Sequence, residues 1–524
     1  MAEHSFWNHA SKAPDRTMFV DPHMREWTGG EMHAAANEIV HGLRALGLEY
    51  GDSIAICMPN CAEYLQIYFA ATQAGWYLTP VNWHLAPSEI AYIVQDCGAK
   101  ALFGHERIAD ACTKAVEEIG FPTDACFAIG TVAGFRSVDS LREGQSPQPP
   151  AERAPGQVMN YTSGTTGKPK GVRRPLAPRE IEPDDMGELL AGFLGMFGIQ
   201  PENDNVYLCG SPLYHTAVLI HAACAFHLGH TVVLMDKWTP EGMLELIDKY
   251  NVTVSHMVPT QFHRLLLLPE DVRAKYDCSS TRHMLHAAAP CPPEVKRRML
   301  DWWGNSIWEY YGATEGGGTI VSPEEWRKYP GTVGLPWVGA DVKIIDDDTA
   351  TSLPHGEQGT VFMLLPPAIS FEYKGDTAKT KKNRIELEGQ TYFTVGDVGY
   401  LNEEGYLFLC DRKIDMIISG GANIYPAEIE NVLLTHPKVG DVAVFGIPHE
   451  DWGEEVKAVV EPAPGFEANE DLREDILDFC RDRLAKFKTP RSIDFNDALP
   501  RDPNGKLYKR KLRDPYWVGH ERAI

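Results

Sequence analysis

Residues 161–171 read Tyr161-Thr-Ser-Gly-Thr-Thr-Gly-Lys-Pro-Lys-Gly171, with three glycines, four Ser/Thr hydroxyls and two lysines in eleven positions. Glycine allows the backbone to bend through positive φ and to approach a ligand closely. Consecutive backbone N–H groups in such a bend form an anion-binding nest, to which hydroxyls and ammonium groups add donors. The apolar residues Val158 and Met159 precede the bend. The stretch therefore predicts a polyphosphate cradle in preference to a solvated surface loop.

The spacing of this loop differs from that of a Walker A motif, which needs four residues between its first glycine and a Gly-Lys pair, then Ser or Thr. Here two residues separate Gly164 from Gly167, and Pro169 follows Lys168. The stretch instead resembles the phosphate loop of the adenylate-forming superfamily, which includes acyl-CoA synthetases, peptide-synthetase adenylation domains and firefly luciferase. The resemblance implies ATP binding by Thr162, Ser163, Gly164, Thr165, Thr166, Gly167, Lys168 and Lys170.

The length of the chain predicts more than one domain, and its net charge disfavours two classes of binding partner. A chain of 524 residues is too long for one hydrophobic core, so at least two domains are expected. Its 49 basic and 73 acidic residues give a net charge of −24. Nucleic-acid binding would need a basic patch, and docking on anionic lipid would need basic clusters, so both are disfavoured. A homodimer stays open.

The cysteines and the N-terminus indicate a cytoplasmic protein. The 11 cysteines are scattered from Cys57 to Cys480 without a C-x-x-C pair, which argues against a zinc ribbon and favours reduced thiols. The first residues are polar and contain Glu3, unlike a signal peptide, and no apolar run is long enough to span a membrane. Histidine pairs such as His227 and His230 lack companion ligands, so no metal site is expected there.

Alternating strand and helix patterns predict an α/β fold with a largely parallel sheet. Residues 53–58 and 78–81 are short apolar runs typical of buried strands, and residues 61–74 between them have a helical pattern. A second α/β series covers residues 206–257, and residues 334–404 are predicted to form short strands with turns. The two α/β series are expected to form paired sub-domains of one lobe.

The resemblance gives this pattern a domain organisation. It implies a large N-terminal lobe, residues 1–411, with two α/β sub-domains, a small β-barrel and the sites for ATP and the acid. A smaller, mobile α+β C-terminal lobe, residues 414–524, would carry a catalytic lysine and a loop for coenzyme A. The expected hinge is Arg412 to Asp415. Ile414 stands where the family usually has Asp or Lys, and its β-branched side chain is stiff, so the pivot residue stays open.

Two stretches resemble the family's adenine site. Ala287-Ala-Ala-Pro290 has almost no side-chain bulk, which fits a tight turn as well as a shelf under the adenine ring. The shelf would consist of Ala287, Ala288, Ala289 and Pro290. In Tyr310-Tyr-Gly-Ala-Thr-Glu315, the resemblance places Tyr310, Tyr311 and Gly312 beside the nucleotide. Thr314 would contact the α-phosphate and Glu315 would hold Mg²⁺, for which a hard oxygen ligand is apt.

Gly312 also bears on the identity of the acid. Family members that take acetate carry tryptophan at this position, so glycine implies an open wall and a longer or bulkier acid. Gly316 is expected to border the same tunnel. His215 could line the tunnel mouth, although a core histidine bonded to the backbone is an equal interpretation. The sequence leaves both fatty and aryl acids open.

Four later residues complete the implied site. Asp397 and Arg412 resemble the family's ribose ligands, with Asp397 accepting from both hydroxyls, although either alone would pass for a turn or surface residue. Gly420 and Gly421 would let the pantetheine arm of coenzyme A approach closely, unless they form a simple turn before a helix. Lys506, in Pro500-Arg-Asp-Pro-Asn-Gly-Lys506, would bridge the acyl carboxylate and the α-phosphate as an electrostatic stabiliser.

The resemblance covers residues from about 15 to 513 and predicts an AMP-forming acyl-CoA ligase using ATP, Mg²⁺ and coenzyme A. The favoured substrate is a medium- or long-chain fatty acid, converted through an acyl-adenylate to the CoA thioester. An aryl-acid CoA ligase and an adenylating enzyme that loads a carrier protein are the nearest alternatives. A luciferase-like oxygenase and a non-enzymatic nucleotide sensor are weaker ones.

Overall fold

The computed structural model describes residues 3–162, 168–201, 204–502 and 505–519. No helix in this part of the chain is long and apolar enough to cross a membrane. The chain divides into two compact units: Met1–His256 with Pro367–Lys382, and Met257–Pro366 with Asn383–Ile524. This division differs from the predicted lobes, whose boundary between residues 411 and 414 stays a prediction.

Local sequence signals account for many helix starts. Proline occupies the first turn of several helices, and Thr28 and Glu31 form a capping box in which Thr28 N–H donates to Glu31 Oε2 at 2.8 Å. Within the described residues the α-helices are α1 (Phe6–Lys12), α2 (Gly29–Ala45), α3 (Ala62–Ala74), α4 (Pro87–Cys97), α5 (Ala109–Ile119), α6 (Val138–Arg142), α7 (Pro183–Gly195), α8 (Thr216–His227), α9 (Pro240–Tyr250), α10 (Pro259–Leu266), α11 (Glu270–Arg273), α12 (Pro293–Trp303), α13 (Pro323–Lys328), α14 (Thr377–Lys382), α15 (Pro426–Leu433), α16 (Glu470–Arg481) and α17 (Lys509–Arg513).

The strands are mostly short, and the buried ones are apolar on both faces, as expected where helices cover a parallel sheet. In the same part of the chain they are β1 (Thr17–Val20), β2 (Glu26–Thr28), β3 (Ser53–Ile56), β4 (Tyr77–Pro80), β5 (Ala99–His105), β6 (Cys126–Ile129), β7 (Arg136–Ser137), β8 (Gln157–Val158), β9 (Asn160–Thr162), β10 (Lys170–Arg173), β11 (Val206–Cys209), β12 (Thr231–Leu234), β13 (Val254–Met257), β14 (His283–His286), β15 (Ile307–Ala313), β16 (Gly316–Val321), β17 (Leu335–Pro336), β18 (Val342–Ile345), β19 (Gly359–Leu364), β20 (Glu372–Tyr373), β21 (Arg384–Leu387), β22 (Gln390–Phe393), β23 (Asp397–Leu401), β24 (Leu407–Arg412), β25 (Ile417–Ser419), β26 (Ala422–Ile424), β27 (Val439–His449), β28 (Gly453–Pro462) and β29 (Ser492–Phe495).

The first unit confirms both predicted α/β series. Its first sheet has the order β7-β6-β5-β3-β4-β8, and every pair in it is parallel. In its second sheet β13, β11, β12 and β1 are also parallel neighbours, and β2 closes the predicted hairpin with β1. A small antiparallel sheet, β20-β10-β9, adds the segment Pro367–Lys382 to this unit.

The second unit contains the predicted region of short strands. Strands β18, β19, β21, β22, β23 and β24 form one sheet in which every pair is antiparallel. In the same unit β14 and β15 are parallel neighbours, and β16 pairs antiparallel with β15. The ends of β15 and β23 carry the candidate site described below.

The C-terminal part of the second unit has its own core. The long hairpin of β27 and β28 pairs with β25 and with the parallel strand β29. Helices α15 and α16 pack on it around buried Ile417, Ile429, Val444, Val460 and Ile476. The mixed α+β character expected for this part of the chain is confirmed.

Candidate active site

Asp397 is the centre of a polar cluster at the ends of β15 and β23. The hydroxyl of Tyr311 donates to its Oδ2 at 2.7 Å, and Nε of Arg412 lies 3.4 Å from its Oδ1. Arg412 faces Asp397 across the β23–β24 pair, so the sheet register fixes their contact. Burial raises the pKa of Tyr311 well above its usual value, and Asp397 adds to this, so the phenol stays a donor. The cluster presents carboxylate lone pairs beside a cation, which suits recognition of a diol.

The turn that carries Lys506 is held by Arg501. The Arg501 guanidinium is bidentate to Asp441 of β27, at 2.5 and 2.7 Å, and its Nη1 donates to the carbonyl of Gly505 at 2.6 Å. Gly505 has φ of +86°, and a Cβ there would lie 3.0 Å from Cγ2 of Val258. The chain before Lys506 therefore runs so close to the start of α10 that only glycine fits without adjustment.

Lys506 lies in the electrostatic field of the Asp397 cluster. The pKa of its ammonium is lowered to about 8, first by burial and then by Arg412, whereas Asp502, Asp415 and Asp397 oppose the shift. The predicted catalytic lysine and the two predicted ribose ligands thus lie in one neighbourhood. A lysine with a lowered pKa among charged partners is a frequent feature of functional sites.

Thr314 and Glu315 are the two central residues of the hairpin between β15 and β16, where Ala313 pairs with Gly316. Glu315 is 6% exposed and close enough to Tyr311 to raise its pKa slightly, after burial and Asp397. Among the described residues no group of three His, Cys, Asp or Glu side chains could hold a metal alone. A single carboxylate together with substrate phosphates is a usual Mg²⁺ arrangement, so Glu315 fits that ion.

The predicted adenine shelf is a tight turn after β14. Ala287 is buried, whereas Ala288 is exposed and has φ of +72°, which is uncommon for a residue with a side chain. Tyr310, on the other side of β15 from Tyr311, is 8% exposed. A tight turn made of small residues is compatible with both interpretations, and the adenine shelf stays a prediction.

The surroundings of Gly312 include an aromatic side chain, Trp337, that the sequence did not indicate, and the open wall stays a prediction. A Cβ placed on Gly312 would lie 3.5 Å from Cη2 of Trp337, and one placed on Gly318 would lie 2.3 Å from the same atom. The main-chain N–H of Trp337 donates to the main-chain carbonyl of Gly318 at 3.4 Å. The indole of Trp337, in the loop after β17, therefore lies beside Gly312 and packs closely against Gly318. Gly316 lies at the start of β16, beside this wall.

The predicted phosphate loop lies between β9 and β10 in the first unit. Ser163, Gly164, Thr165, Thr166 and Gly167 fall outside the described residues. Thr162 ends β9 and pairs with Lys170 at the start of β10. Nζ of Lys170 lies 3.8 Å from Asp376, and Lys168 is exposed. The residues on either side of 163–167 therefore pair as antiparallel strands, and phosphate binding by the loop stays a prediction.

His215 lies at the start of α8, where its ring is 4.3 Å from that of Tyr214. The pattern of a core histidine bonded to the backbone occurs six residues later, at His221, whose Nδ1 donates to the carbonyl of Ala217 at 2.7 Å. Burial lowers the pKa of His221 to about 4, so its ring is neutral. The ring of His256 lies 4.5 Å from that of His221.

Gly420 and Gly421 form the two-residue turn between β25 and β26, with φ of +56° and +81°. Two successive positive φ values are typical of a type I′ hairpin turn, for which Gly-Gly is a favoured sequence. The turn borders a cavity of about 270 Å³ that sequence reasoning missed. Its lining includes Gly420, Trp452, Glu455, Phe487 and Arg491. Trp452 and Phe487 are 41% and 51% exposed, and Arg491 lies over the Trp452 ring at 4.5 Å.

The expected hinge is a 3₁₀ turn, Lys413–Asp415, that follows β24 directly. Lys413 Nζ lies 2.8 Å from Asp347, and Asp415 lies 3.7 Å from Arg513. Charged side chains on both sides of Ile414 are thus anchored within the second unit. Which residue pivots stays a prediction.

Comparison with known proteins agrees with these observations. Residues 6–366 match the family model of AMP-binding enzymes, and residues 428–506 match that of the AMP-binding enzyme C-terminal domain. The fatty acid–[acyl-carrier-protein] ligase ScoC of Streptomyces coeruleorubidus is 34% identical over 506 residues, 95% of this chain and 93% of its own. The long-chain-fatty-acid–CoA ligase FadD13 of Mycobacterium tuberculosis is 30% identical over 516 residues, 97% of each chain. A feruloyl-CoA synthase of Amycolatopsis is 32% identical over 490 residues, 93% of each chain.

Solved structures give the same answer for the fold. The crystal structure of ATP-bound MatB from Rhodopseudomonas palustris matches with a TM-score of 0.81 and 27% sequence identity, covering 99% of this chain and 100% of that one. The family models cover most of the chain, and three relatives of at least 30% identity match it nearly from end to end. The chain therefore belongs to the AMP-binding enzymes, the adenylate-forming superfamily that includes the acyl-CoA ligases.

Proposed function

We propose that this protein is an ATP-dependent ligase that joins a medium- or long-chain fatty acid to coenzyme A through an acyl-adenylate. The observation that carries the proposal is the cluster of Tyr311, Asp397 and Arg412 with Lys506 in its field. A diol-binding carboxylate beside a lysine of lowered pKa suits the ribose and the α-phosphate of one nucleotide. A nucleotide sensor would need the carboxylate that binds the ribose, but it would not need the lysine.

In the first step the acid's carboxylate attacks the α-phosphorus of ATP, and pyrophosphate leaves. Asp397 and Arg412 orient the ribose, and Lys506 places its ammonium between the two reacting anions, where negative charge develops. Thr314 donates to the α-phosphate, and Glu315 would hold Mg²⁺, whose charge offsets that of the phosphates. In the second step the thiolate of coenzyme A attacks the acyl carbon and expels AMP.

The cavity beside Gly420 supports coenzyme A over a carrier protein as the thiol. Its exposed aromatic side chains, Trp452 and Phe487, offer stacking faces, and Arg491 offers a cation for a phosphate. Coenzyme A brings an adenine ring and phosphates to this position, whereas the prosthetic arm of a carrier protein ends in a protein surface. The favoured thiol is therefore free coenzyme A.

Replacement of Trp452 or Phe487 by alanine is expected to raise KM for coenzyme A by about tenfold each, because base–aromatic stacking is worth roughly 1–3 kcal/mol. Adenylate formation, measured as pyrophosphate release without coenzyme A, should not change. Phe466→Ala is the matched control, since Phe466 is 44% exposed on the same part of the chain but lies outside the cavity. If the alanine variants load a carrier protein normally and the wild type prefers it to coenzyme A, the carrier-loading alternative replaces this proposal.

The pKa of Lys506 predicts a pH profile. The ammonium is charged below pH of about 8 and loses its charge as the pH rises through that value. We therefore expect kcat/KM for ATP, which reports the free enzyme, to fall on the alkaline side with a midpoint near 8. Asp502→Asn should move this limb to lower pH, because Asp502 raises the lysine pKa. An unmoved limb in that variant would assign the titration to another group.

The acid is tested by pyrophosphate release over a panel from acetate through octanoate and palmitate to benzoate and ferulate. The proposal expects the highest kcat/KM between octanoate and palmitate. An optimum at an aryl acid would favour the aryl-CoA ligase alternative. Trp337 makes this a real alternative, because a flat indole beside Gly312 and Gly318 is as apt a wall for an aromatic ring as for an alkyl chain.

A further inference from the structure

Three tyrosines of the first unit make the same pair of contacts with residues 168–179, the stretch that leaves the phosphate loop. Each phenol donates to a main-chain carbonyl of this stretch: Tyr92 to Pro169 at 3.1 Å, Tyr77 to Arg174 at 2.9 Å and Tyr50 to Ala177 at 2.9 Å. Each ring also lies under one of its cations: Lys168 over Tyr92 at 4.7 Å, Arg173 over Tyr77 at 4.8 Å and Arg179 over Tyr50 at 4.2 Å. The stretch is therefore fixed at three points along its length.

The contact nearest the loop comes from helix α4, which also holds the other limb. Tyr92 and Asp96 are four residues apart, so they project from the same face of the helix. Tyr92 binds the outgoing limb at Pro169, and Asp96 Oδ2 accepts from the hydroxyl of Tyr161 on the incoming limb at 2.5 Å. One turn of α4 therefore bonds to the chain both before and after residues 163–167.

Close packing also holds Tyr161, on the incoming limb, in place. The Tyr161 ring lies across Gly171, its cross-strand partner, where a Cβ would meet the ring at 3.1 Å. Burial raises the pKa of Tyr161 far above its usual value, and the bond to Asp96 adds to this, so the phenol keeps its proton. The ammonium of Lys374, beside β20, donates to the main-chain carbonyl of Asp96, which connects the end of α4 to the small antiparallel sheet.

We propose that Tyr92 and Asp96 are positioning residues that set the separation of the two limbs of the phosphate loop and hence the affinity for ATP. The inference rests on the proposed function, since it takes residues 162–171 as the phosphate site. Tyr92 also holds the ammonium of Lys168 over its ring, next to the loop. To bind a phosphate there, this lysine would have to give up only one cation–π contact.

The first test compares Tyr92 with Tyr50, which makes the same two kinds of contact farther along the stretch, with Ala177 and Arg179. Tyr92→Leu is expected to weaken MgATP binding about tenfold, measured by calorimetry without acid, and to raise KM for ATP equally while KM for coenzyme A stays unchanged. Tyr92→Phe keeps the ring under Lys168 and should lose only twofold to fivefold, within the usual range for one hydrogen bond. Tyr50→Leu should leave ATP affinity within twofold of wild type.

The second test is a double-mutant cycle between Asp96 and Tyr161. Asp96→Ala and Tyr161→Phe remove the same hydrogen bond, so each should weaken ATP binding by a similar factor, and the double variant should lose no more than either single variant. Fully additive losses would overturn the assignment of the effect to this bond. Thermal unfolding of every variant separates loop positioning from general destabilisation, because Tyr50→Leu and Tyr92→Leu should lower Tm alike while only the latter weakens ATP binding.

The outcomes distinguish this proposal from the proposed function. If the wild type binds MgATP and Tyr92→Leu binds it equally well, the positioning role is wrong while the ligase proposal stands. If Tyr50→Leu weakens binding as much as Tyr92→Leu, the whole stretch matters and α4 has no special part. If the wild type binds no ATP, both proposals fail together.

Discussion

Replacement of Lys506 by alanine is expected to lower the rate of adenylate formation by about 10²–10³-fold, the usual loss when one preorganised donor to a developing anion is removed. The structure places this ammonium in the field of Asp397 and Arg412, where burial has already lowered its pKa to about 8. Its solvation is therefore partly replaced by protein before substrate binds, so little reorganisation is needed when charge develops on the phosphate. Pyrophosphate release with acid and ATP measures the loss.

The same variant should convert a supplied acyl-adenylate and coenzyme A to the thioester at close to the wild-type rate. Lys511→Ala is the matched control, because Lys511 is exposed five residues farther along and its ammonium lies over the Tyr508 ring. It should retain both half-reactions. Equal loss of both half-reactions in Lys506→Ala would contradict the assigned part of this lysine and point to a folding defect or a contact with coenzyme A.

The position of Lys506 depends on groups that no local pattern indicates. Arg501 connects the lysine turn to Asp441, 60 residues earlier, and Gly505 allows the turn to pass against Val258. A resemblance can identify the lysine, but the bidentate pair that fixes it is visible only once β27 and the turn are adjacent. Arg501 is a guanidinium at a site that needs two parallel bonds, for which lysine would be a poor substitute.

Short-range signals were sufficient for much of the fold. The hairpin of β1 and β2, the strand–helix alternation of the first sheet and helix α9 at Pro240–Tyr250 follow from apolar periodicity and from proline and glycine at the ends of elements. These features depend on residues within one or two turns of each other. Element ends were less certain: the predicted strand 252–257 begins at Val254, because the N–H of Val252 still donates to the carbonyl of Ile247 in α9.

Long-range contacts explain what the sequence did not reveal. The segment Pro367–Lys382 joins the first unit because β20 pairs with β10, about 200 residues away, and two-residue strands have no periodic signal. Trp337 lies beside Gly312 although the two are 25 residues apart and no local pattern links them. The Trp452 and Phe487 cavity likewise needs two distant loops. A single sequence states residue type, whereas these features depend on which residue types become neighbours.

The Trp337 contact shows why the residue type at one position is a weak guide to the space around it. A glycine in place of a bulky residue creates space only if no other side chain moves into it, because protein interiors are close-packed. Here an indole from the loop after β17 lies within van der Waals distance of that space. If the acid binds beside Gly312, as proposed, the space open to it is set by the position of the indole as well as by the missing side chain.

Asp397→Ala is expected to raise KM for ATP by about 10²-fold or more, because hydrogen bonds to a charged acceptor are worth roughly 1.5–3 kcal/mol each and the ribose offers two. The variant also leaves Arg412 without its cross-strand partner. Since Asp397 is one of the carboxylates that raise the pKa of Lys506, its loss should move the alkaline limb of kcat/KM to lower pH. A single substitution should therefore change both nucleotide affinity and pH dependence.

Tyr311→Phe is the matched control for this change, since it removes the phenol that donates to Asp397 at 2.7 Å but leaves the carboxylate and Arg412 in place. It should raise KM for ATP only twofold to tenfold, as expected for one neutral donor. The decisive measurement compares ATP with 2′-deoxy-ATP. Wild type and Tyr311→Phe should discriminate against the deoxynucleotide, whereas Asp397→Ala should accept both almost equally, because the acceptor that reads the 2′-hydroxyl is gone. If Asp397→Ala discriminates as strongly as wild type, the carboxylate acts on Arg412 and Lys506 alone and the ribose is bound by other groups.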